Sequence, residues 1–178
     1  AADPVTSPIS IGSGNQNFDL SSGRQFEVGV KQQVLGGRGE YTVAYFDIQK
    51  QDLLTRLPGS SVTEQIGQQS SDGFELTFRV NPRDNISVDL NATTISAQYD
   101  DFFSGGVSLA GNTPRNIPEK TANLWVNWAP LDRLQLAAGV RYVDSRFGND
   151  GNTRTLPSYR VIDASINWTL SENTEILF

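Results

Sequence analysis

The connections between strands constrain this chain more than any other feature of its sequence. Short, turn-rich links and long polar segments alternate strictly along it. The short links sit at Leu35-Gly36-Gly37-Arg38, at Asn81-Pro82-Arg83-Asp84-Asn85, at Pro130-Leu131-Asp132-Arg133 and at Leu170-Ser171-Glu172-Asn173. Glycine supplies positive φ, proline fixes φ, and Asn, Asp and Ser bond to their own backbone, so these compositions encode tight turns. Between them lie long polar segments, Lys50 to Ser61, Asp100 to Pro118 and Asp144 to Pro157. An up-and-down membrane barrel has short turns at one end and long loops at the other. A soluble sandwich with Greek-key crossings has no reason to alternate in this way.

The segments so connected read as strands. In Phe74-Glu75-Leu76-Thr77-Phe78-Arg79-Val80 every second residue is apolar, and the same period recurs in Ile86 to Ala92, Ala122 to Trp128, Leu134 to Tyr142, Phe26 to Lys31 and Ile162 to Trp168. Alternation with period two puts the apolar set on one face of a sheet and the polar set on the other. Tyr41 to Ile48 departs from it, because both alternating sets carry apolar residues; a bulge or a second buried face is expected there. Trp128 and Trp168 each close an apolar stripe beside a short turn, where an aromatic girdle belongs, and Tyr142 stands near the opposite end of its strand. Glu27, Lys31, Glu75, Arg79, Asp89 and Arg141 fall on the polar face.

Composition narrows the class. Only 37% of residues are hydrophobic and no run approaches the ~18 consecutive apolar residues that a membrane helix needs. Strands that alternate keep the average hydropathy low, so the mean of -0.36 leaves a membrane barrel open. A net charge of -6 gives nucleic acid no electrostatic footing. Cysteine and histidine are both absent, which removes disulfides, thiolate metal sites and the commonest general base. The beginning of the chain, Ala1-Ala2-Asp3-Pro4, has neither the basic nor the apolar part of a signal peptide, as expected if a leader has been removed or the segment starts in mid-protein.

Several stretches carry a family resemblance. Gly23-Arg24-Gln25-Phe26-Glu27-Val28-Gly29-Val30-Lys31 resembles the G-x-x-x-E-x-G-x-K strand of TonB-dependent siderophore receptors, and Tyr41 to Ile48 resembles the strand after it, ending in Phe-Asp-Ile. Ser71-Asp72-Gly73-Phe74-Glu75-Leu76 is similar to that family's S-x-G-x-E-L, and Asn116 to Trp125 to its N-x-P-x-x-x-A-x-L-W. Gly139-Val140-Arg141-Tyr142-Val143 and Leu156-Pro157-Ser158-Tyr159 through Asp163-Ala164 resemble G-x-R-Y-V and L-P-S-Y-x-x-x-D-A. In order and suitably spaced, they cover the chain from about Gly23 to Phe178.

The resemblance implies an all-β fold, an antiparallel up-and-down meander of about eight strands within an outer-membrane barrel of about twenty-two. Residues 1–22 would lead into the barrel and residues 23–178 form its strands, in the outer membrane of a Gram-negative bacterium. It implies that the plug and the TonB-binding segment lie outside these residues, and that the wall continues beyond Glu175-Ile176-Leu177-Phe178. The implied partners are a ferric siderophore, the receptor's own plug, TonB and outer-membrane lipid, with no intrinsic cofactor. Tyr99, Phe102 and Phe103 beside one long loop, Arg146, Phe147 and Arg154 in the next, and Tyr159 with Arg160 behind it are the candidate ligand contacts. Aromatic rings offer contact area and arginine pairs with an anionic chelate. For any single one of these residues, anchoring a loop is the more ordinary role.

No enzymatic constellation is evident. A Ser-His-Asp set is impossible without histidine, and the adjacent acids Asp100-Asp101 read as solvated rather than catalytic. Asn149-Asp150-Gly151-Asn152 carries oxygen donors, but it has the composition of a tight turn. Two other classes stay in play: a complete eight-stranded outer-membrane protein with a structural or adhesive role, and a soluble, glycan-binding β-sandwich. The first would need inward residues that fill a narrow core, whereas charged residues and Gly29, Gly73 and Gly139 stand there. If the segment is isolated, its unpaired edge strands should prevent stable insertion as a monomer.

Overall fold

A computed structural model describes residues 18–56, 58–59, 63–172 and 174–178. Residues 1–17 lie outside the described residues. Of the lead-in expected over residues 1–22, only 18–22 are therefore seen, and Ser22 already pairs with Gln51. Among the described residues twelve strands follow one another: β1 (Ser22–Val34), β2 (Gly39–Thr55), β3 (Glu64–Arg83), β4 (Ile86–Asp101), β5 (Phe103–Ser104), β6 (Val107–Ser108), β7 (Lys120–Leu131), β8 (Leu134–Val143), β9 (Arg146–Phe147), β10 (Thr155–Leu156), β11 (Tyr159–Ser171) and β12 (Thr174–Leu177). A 3-10 turn, Leu35–Gly37, links β1 to β2.

Eight of the strands form one antiparallel meander in the order β1-β2-β3-β4-β7-β8-β11-β12. The remaining four make two small hairpins, β5 with β6 and β9 with β10, inside the long connections. Every short link lies at one end of the sheet and every long one at the other. The order is open: β1 pairs with β2 and β12 with β11, and the two do not pair with each other. Neither a closed eight-stranded barrel nor a two-layer sandwich has this topology.

The register joins the apolar stripes into a belt. One row of partners runs Tyr41, Phe78, Leu90, Leu124, Val140, Ile162, and the next runs Val80, Val88, Val126, Ala138, Ala164. Large apolar side chains lie open along this face, Phe26, Val28, Phe74 and Ile162 among them. Water does not reward such a surface; lipid does. The belt also slants across the hydrogen-bonded rows. The row that starts at Val28 passes through Tyr45, Phe74 and Thr94 and reaches Lys120, which has already left the belt. A level apolar band cutting across rows means that the strands are tilted, as barrel closure requires.

The opposite face is polar and carries all six residues assigned to it. Lys31 pairs with Glu40 at 2.8 Å, and Arg79 with Asp89. Level with the apolar belt, the rings of Phe46 and Trp125 interrupt this polarity. Phe46 lies over Gly73, so a Cβ there would stand 2.8 Å from the ring, and Trp125 lies across Gly139, where a Cβ would collide with it. The bare backbone of each glycine provides the seat for an aromatic plate. Trp125 in turn donates its Nε1–H to Asn127 at 3.0 Å.

One open alternative is decided and two sequence expectations change. Tyr41 to Ile48 contains no bulge; its register with both neighbours is unbroken, and the second apolar set includes the buried Ala44 and Phe46. The irregularity comes later, between Lys50 and Leu54, where Asp52 adopts φ 61°. Lys50 to Ser61 is also not all loop, since β2 runs on to Thr55, and Asp100 and Asp101 end β4. Beyond the apolar belt a strand is no longer split between lipid and a polar interior, so it loses the alternation by which it could be recognised.

Candidate functional site

The long connections fold over the polar side of the sheet and are fastened there. Tyr99 is on that face, two residues on from Ala97, and is only 5% exposed. Its ring stacks on Phe102 with centroids 4.5 Å apart and planes 14° off parallel. Phe102 reaches Gly67 of β3, where a Cβ would stand 3.0 Å from the Phe102 ring. The next residue is held through its backbone: Thr55 Oγ1 accepts from Phe103 N–H at 2.7 Å and donates to Phe103 O at 2.8 Å. Thr55 is fully buried in making this link.

From this root the connection returns over β4. Tyr99 N–H donates to Asn112 O, and Gly111 N–H to Tyr99 O. Pro114 is buried beneath it. The other long connection then docks on the first. The Tyr99 hydroxyl donates to Asp150 Oδ1 at 3.0 Å, Arg115 N–H donates to the same oxygen at 3.2 Å, and Arg115 Nε lies 3.9 Å from Oδ2. Asn112 Nδ2 donates to the backbone carbonyl of Asp150 at 3.0 Å. Asn152 closes a reciprocal pair with Thr113, accepting from its N–H at 2.8 Å and donating to its carbonyl at 2.7 Å. Asn116 N–H donates to Phe147 O. Burial raises the Tyr99 phenol above its ordinary pKa, helped by the Asp150 carboxylate, which disfavours a phenolate beside it.

Asn149 to Asn152 is thus a turn. Asn149 Oδ1 accepts from the N–H groups of Thr153 and Arg154, and Asn152 adopts φ 53°. Among the described residues no cluster of three or more His, Cys, Asp or Glu is placed to hold a metal.

Of the eight candidate ligand contacts, Tyr99 and Phe102 come together and Phe103 follows them, all three committed to anchoring a loop. Arg146 and Tyr159 form a second group: the Arg146 guanidinium lies 5.6 Å from the Tyr159 ring centroid. Tyr159 is paired with Val143 on the polar face and is 44% exposed. Nη1 of Arg146 is buried without a hydrogen-bond partner. Phe147 and Arg154 belong to the β9–β10 hairpin, Phe147 paired with Thr155 and Arg154 exposed just before it. Arg160 stands on the opposite, apolar face, its guanidinium 5.7 Å from the Tyr142 ring. Sequence reasoning missed Thr55, Asn112, Arg115 and the wider role of Asp150 and Asn152. These residues act across separations of up to 51 positions, and no local pattern announces a partner that distant.

Comparison with known proteins gives this geometry a context. A family model described as "TonB dependent receptor-like, beta-barrel" matches residues 2–177. The ferrioxamine receptor of Yersinia enterocolitica is 31% identical over 142 residues, which are 80% of this chain and 20% of that protein. The ferrichrome outer membrane transporter/phage receptor of Escherichia coli is 29% identical over 166 residues, 90% of this chain and 22% of that protein. Among solved structures, the siderophore receptor PiuA of Acinetobacter baumannii superposes with a TM-score of 0.82 at 26% identity, covering 94% of this chain and 25% of that one. The chain thus spans about a fifth to a quarter of the length of these relatives.

Proposed function

This chain belongs to the TonB-dependent receptor β-barrel family, and from that premise we propose that it serves a receptor for TonB-dependent uptake of ferric siderophores. It is a segment of an outer-membrane barrel wall with its outer loops, and the wall's polar face is the lumen side. In this reading the ligand is the iron chelate itself, which brings its metal already coordinated. The protein needs to supply contact area and charge, and it makes or breaks no covalent bond.

The observation that carries the ligand assignment is the Arg146–Tyr159 pair at the outer end of the lumen face. A half-exposed ring with a guanidinium beside it, backed by Phe147 and Arg154, suits an anionic, partly aromatic or apolar chelate. Tyr99, Phe102 and Phe103 take part indirectly, by holding the loops that frame the mouth. The charged wall residues, Glu75, Arg79, Asp89 and Arg141 among them, face the receptor's plug domain, while TonB engages residues outside this chain. Polar contacts let a plug shift without leaving a dry apolar interface behind.

The test is iron-55 uptake by a siderophore-receptor-deficient strain carrying the full-length receptor, supplied with ferrioxamine and ferrichrome among a panel of ferric chelates. Uptake of at least one chelate that disappears when TonB is deleted is the expected result. It should also fall roughly tenfold on Arg146→Ala, the order of one lost charge-assisted contact. Uptake that proceeds without TonB, or no binding of any ferric siderophore, sinks the reading.

A further inference from the structure

We infer that Asp150 fastens the two longest outer connections, residues 102–119 and 144–158, into a single unit, and that it is a positioning residue for the lumen mouth. Its side chain and carbonyl take donors from three places that the sequence keeps 35 to 51 positions away: Arg115 N–H, Asn112 Nδ2 and the Tyr99 hydroxyl. Tyr99 belongs to the wall, so the same carboxylate ties one loop to the other and both to β4. Asn152–Thr113 and Asn116–Phe147 add backbone links on either side of it. The root of the first connection is itself bolted to β2 through Thr55 and rests on β3 at Gly67. The order therefore runs without a break from β2 to the β9–β10 hairpin.

Loops that are merely long are mobile, because few contacts repay the entropy of fixing them. Here most of the links are between a side chain and backbone, over buried ring and proline surface, and a half-buried carboxylate accepts from both Tyr99 and Arg115. The unit can respond to a ligand by moving as a body. The two loops do not open independently around Arg146 and Tyr159. The clamp is a property of the protein without ligand. Its effect on binding rests on the reading that these loops frame a ferric-chelate site.

Spin labels on the full-length receptor test it, one at Val107→Cys in the first connection and one at Thr155→Cys in the second, both exposed. The wild-type background should give a single narrow interlabel distance. Asp150→Ala should roughly double the width of that distribution, and Tyr99→Phe, which removes only the donor and keeps the stacked ring, should widen it less. Wild-type width in both variants overturns the clamp. If Asp150→Ala yields no folded receptor, Tyr99→Phe decides alone, and an unchanged width again overturns it. Dissociation of the ferric chelate should quicken several-fold in the variants. If widths change as stated while the wild type binds no ferric chelate, the clamp stands and the uptake reading fails.

Discussion

The barrel wall and the cap of outer loops are both ordered, but by different physics. In the wall nearly every residue has a backbone partner one strand away, and side chains need only fall on the correct face. The row from Tyr41 to Ile162 is held by ladder hydrogen bonds, with Leu124 at its centre open to lipid. In the cap the regular ladder stops, and single side chains replace it. Thr55 and Asn152 each take both ends of a link that a strand would have made with its backbone, and the Asp150 carboxylate accepts from both Tyr99 and Arg115. The comparison teaches that the wall tolerates substitution wherever the face is respected. The cap depends on a few atoms.

The largest effect should come from violating the face. Leu124→Arg puts a cation in the middle of the apolar belt, where the cost is about 2–4 kcal/mol. Denaturant unfolding of the full-length receptor in detergent or bilayer should show that loss, whereas Asn123→Arg, one residue away on the polar face, should not. Equal losses from the two would dissolve the distinction between faces.

A smaller effect is expected where the wall itself depends on one fit. Gly139→Ala adds a methyl group into the space of the Trp125 ring, an overpacking that costs about 1–3 kcal/mol. Trp125→Ala combined with Gly139→Ala should recover most of the steric part, a non-additivity that a double-mutant cycle reads directly. Purely additive losses would mean that the ring does not depend on the bare backbone.

The smallest effect belongs to the cap and is a pH dependence. The Tyr99 phenol titrates above its unfolded value of about 10. The folded state therefore keeps its proton where the unfolded chain has begun to lose it. The stabilisation is fully present below pH about 10 and declines as pH rises past that point. Protease nicking of the outer loops between pH 9 and 11 should increase in the wild type and change less in Tyr99→Phe. The wall, read by heat-modified mobility, should stay folded over the same range.

How much of this was legible follows from the same division. The alternating stripes and the turn compositions gave the order of the eight sheet strands and the positions of Trp128 and Trp168 beside the short turns. They gave the polar set from Glu27 to Arg141 as well. Periodicity failed beyond the belt, at Lys50 to Thr55 and Asp100 to Asp101, because apolar and polar residues no longer alternate between the faces there. Residue type alone marks the candidate ligand contacts in the sequence. The fold then divided them, turning Tyr99, Phe102 and Phe103 into anchors and leaving Arg146 and Tyr159 toward the lumen. Arg160 shares the parity of Ile162 and falls on the apolar face, a distinction that residue type does not make.

What the sequence determined by itself is therefore the wall: strand, turn, face and the family to which the motifs belong. All of these depend on residues within a few positions of one another, and period two is a local signal. Only the tertiary structure decided that Gly139 seats Trp125, that the open sheet is tilted, and that Asp150 binds Tyr99 and Arg115. Each of those depends on which atoms meet after the chain has turned back on itself. A side-chain link across 51 residues leaves no trace in the spacing of either partner.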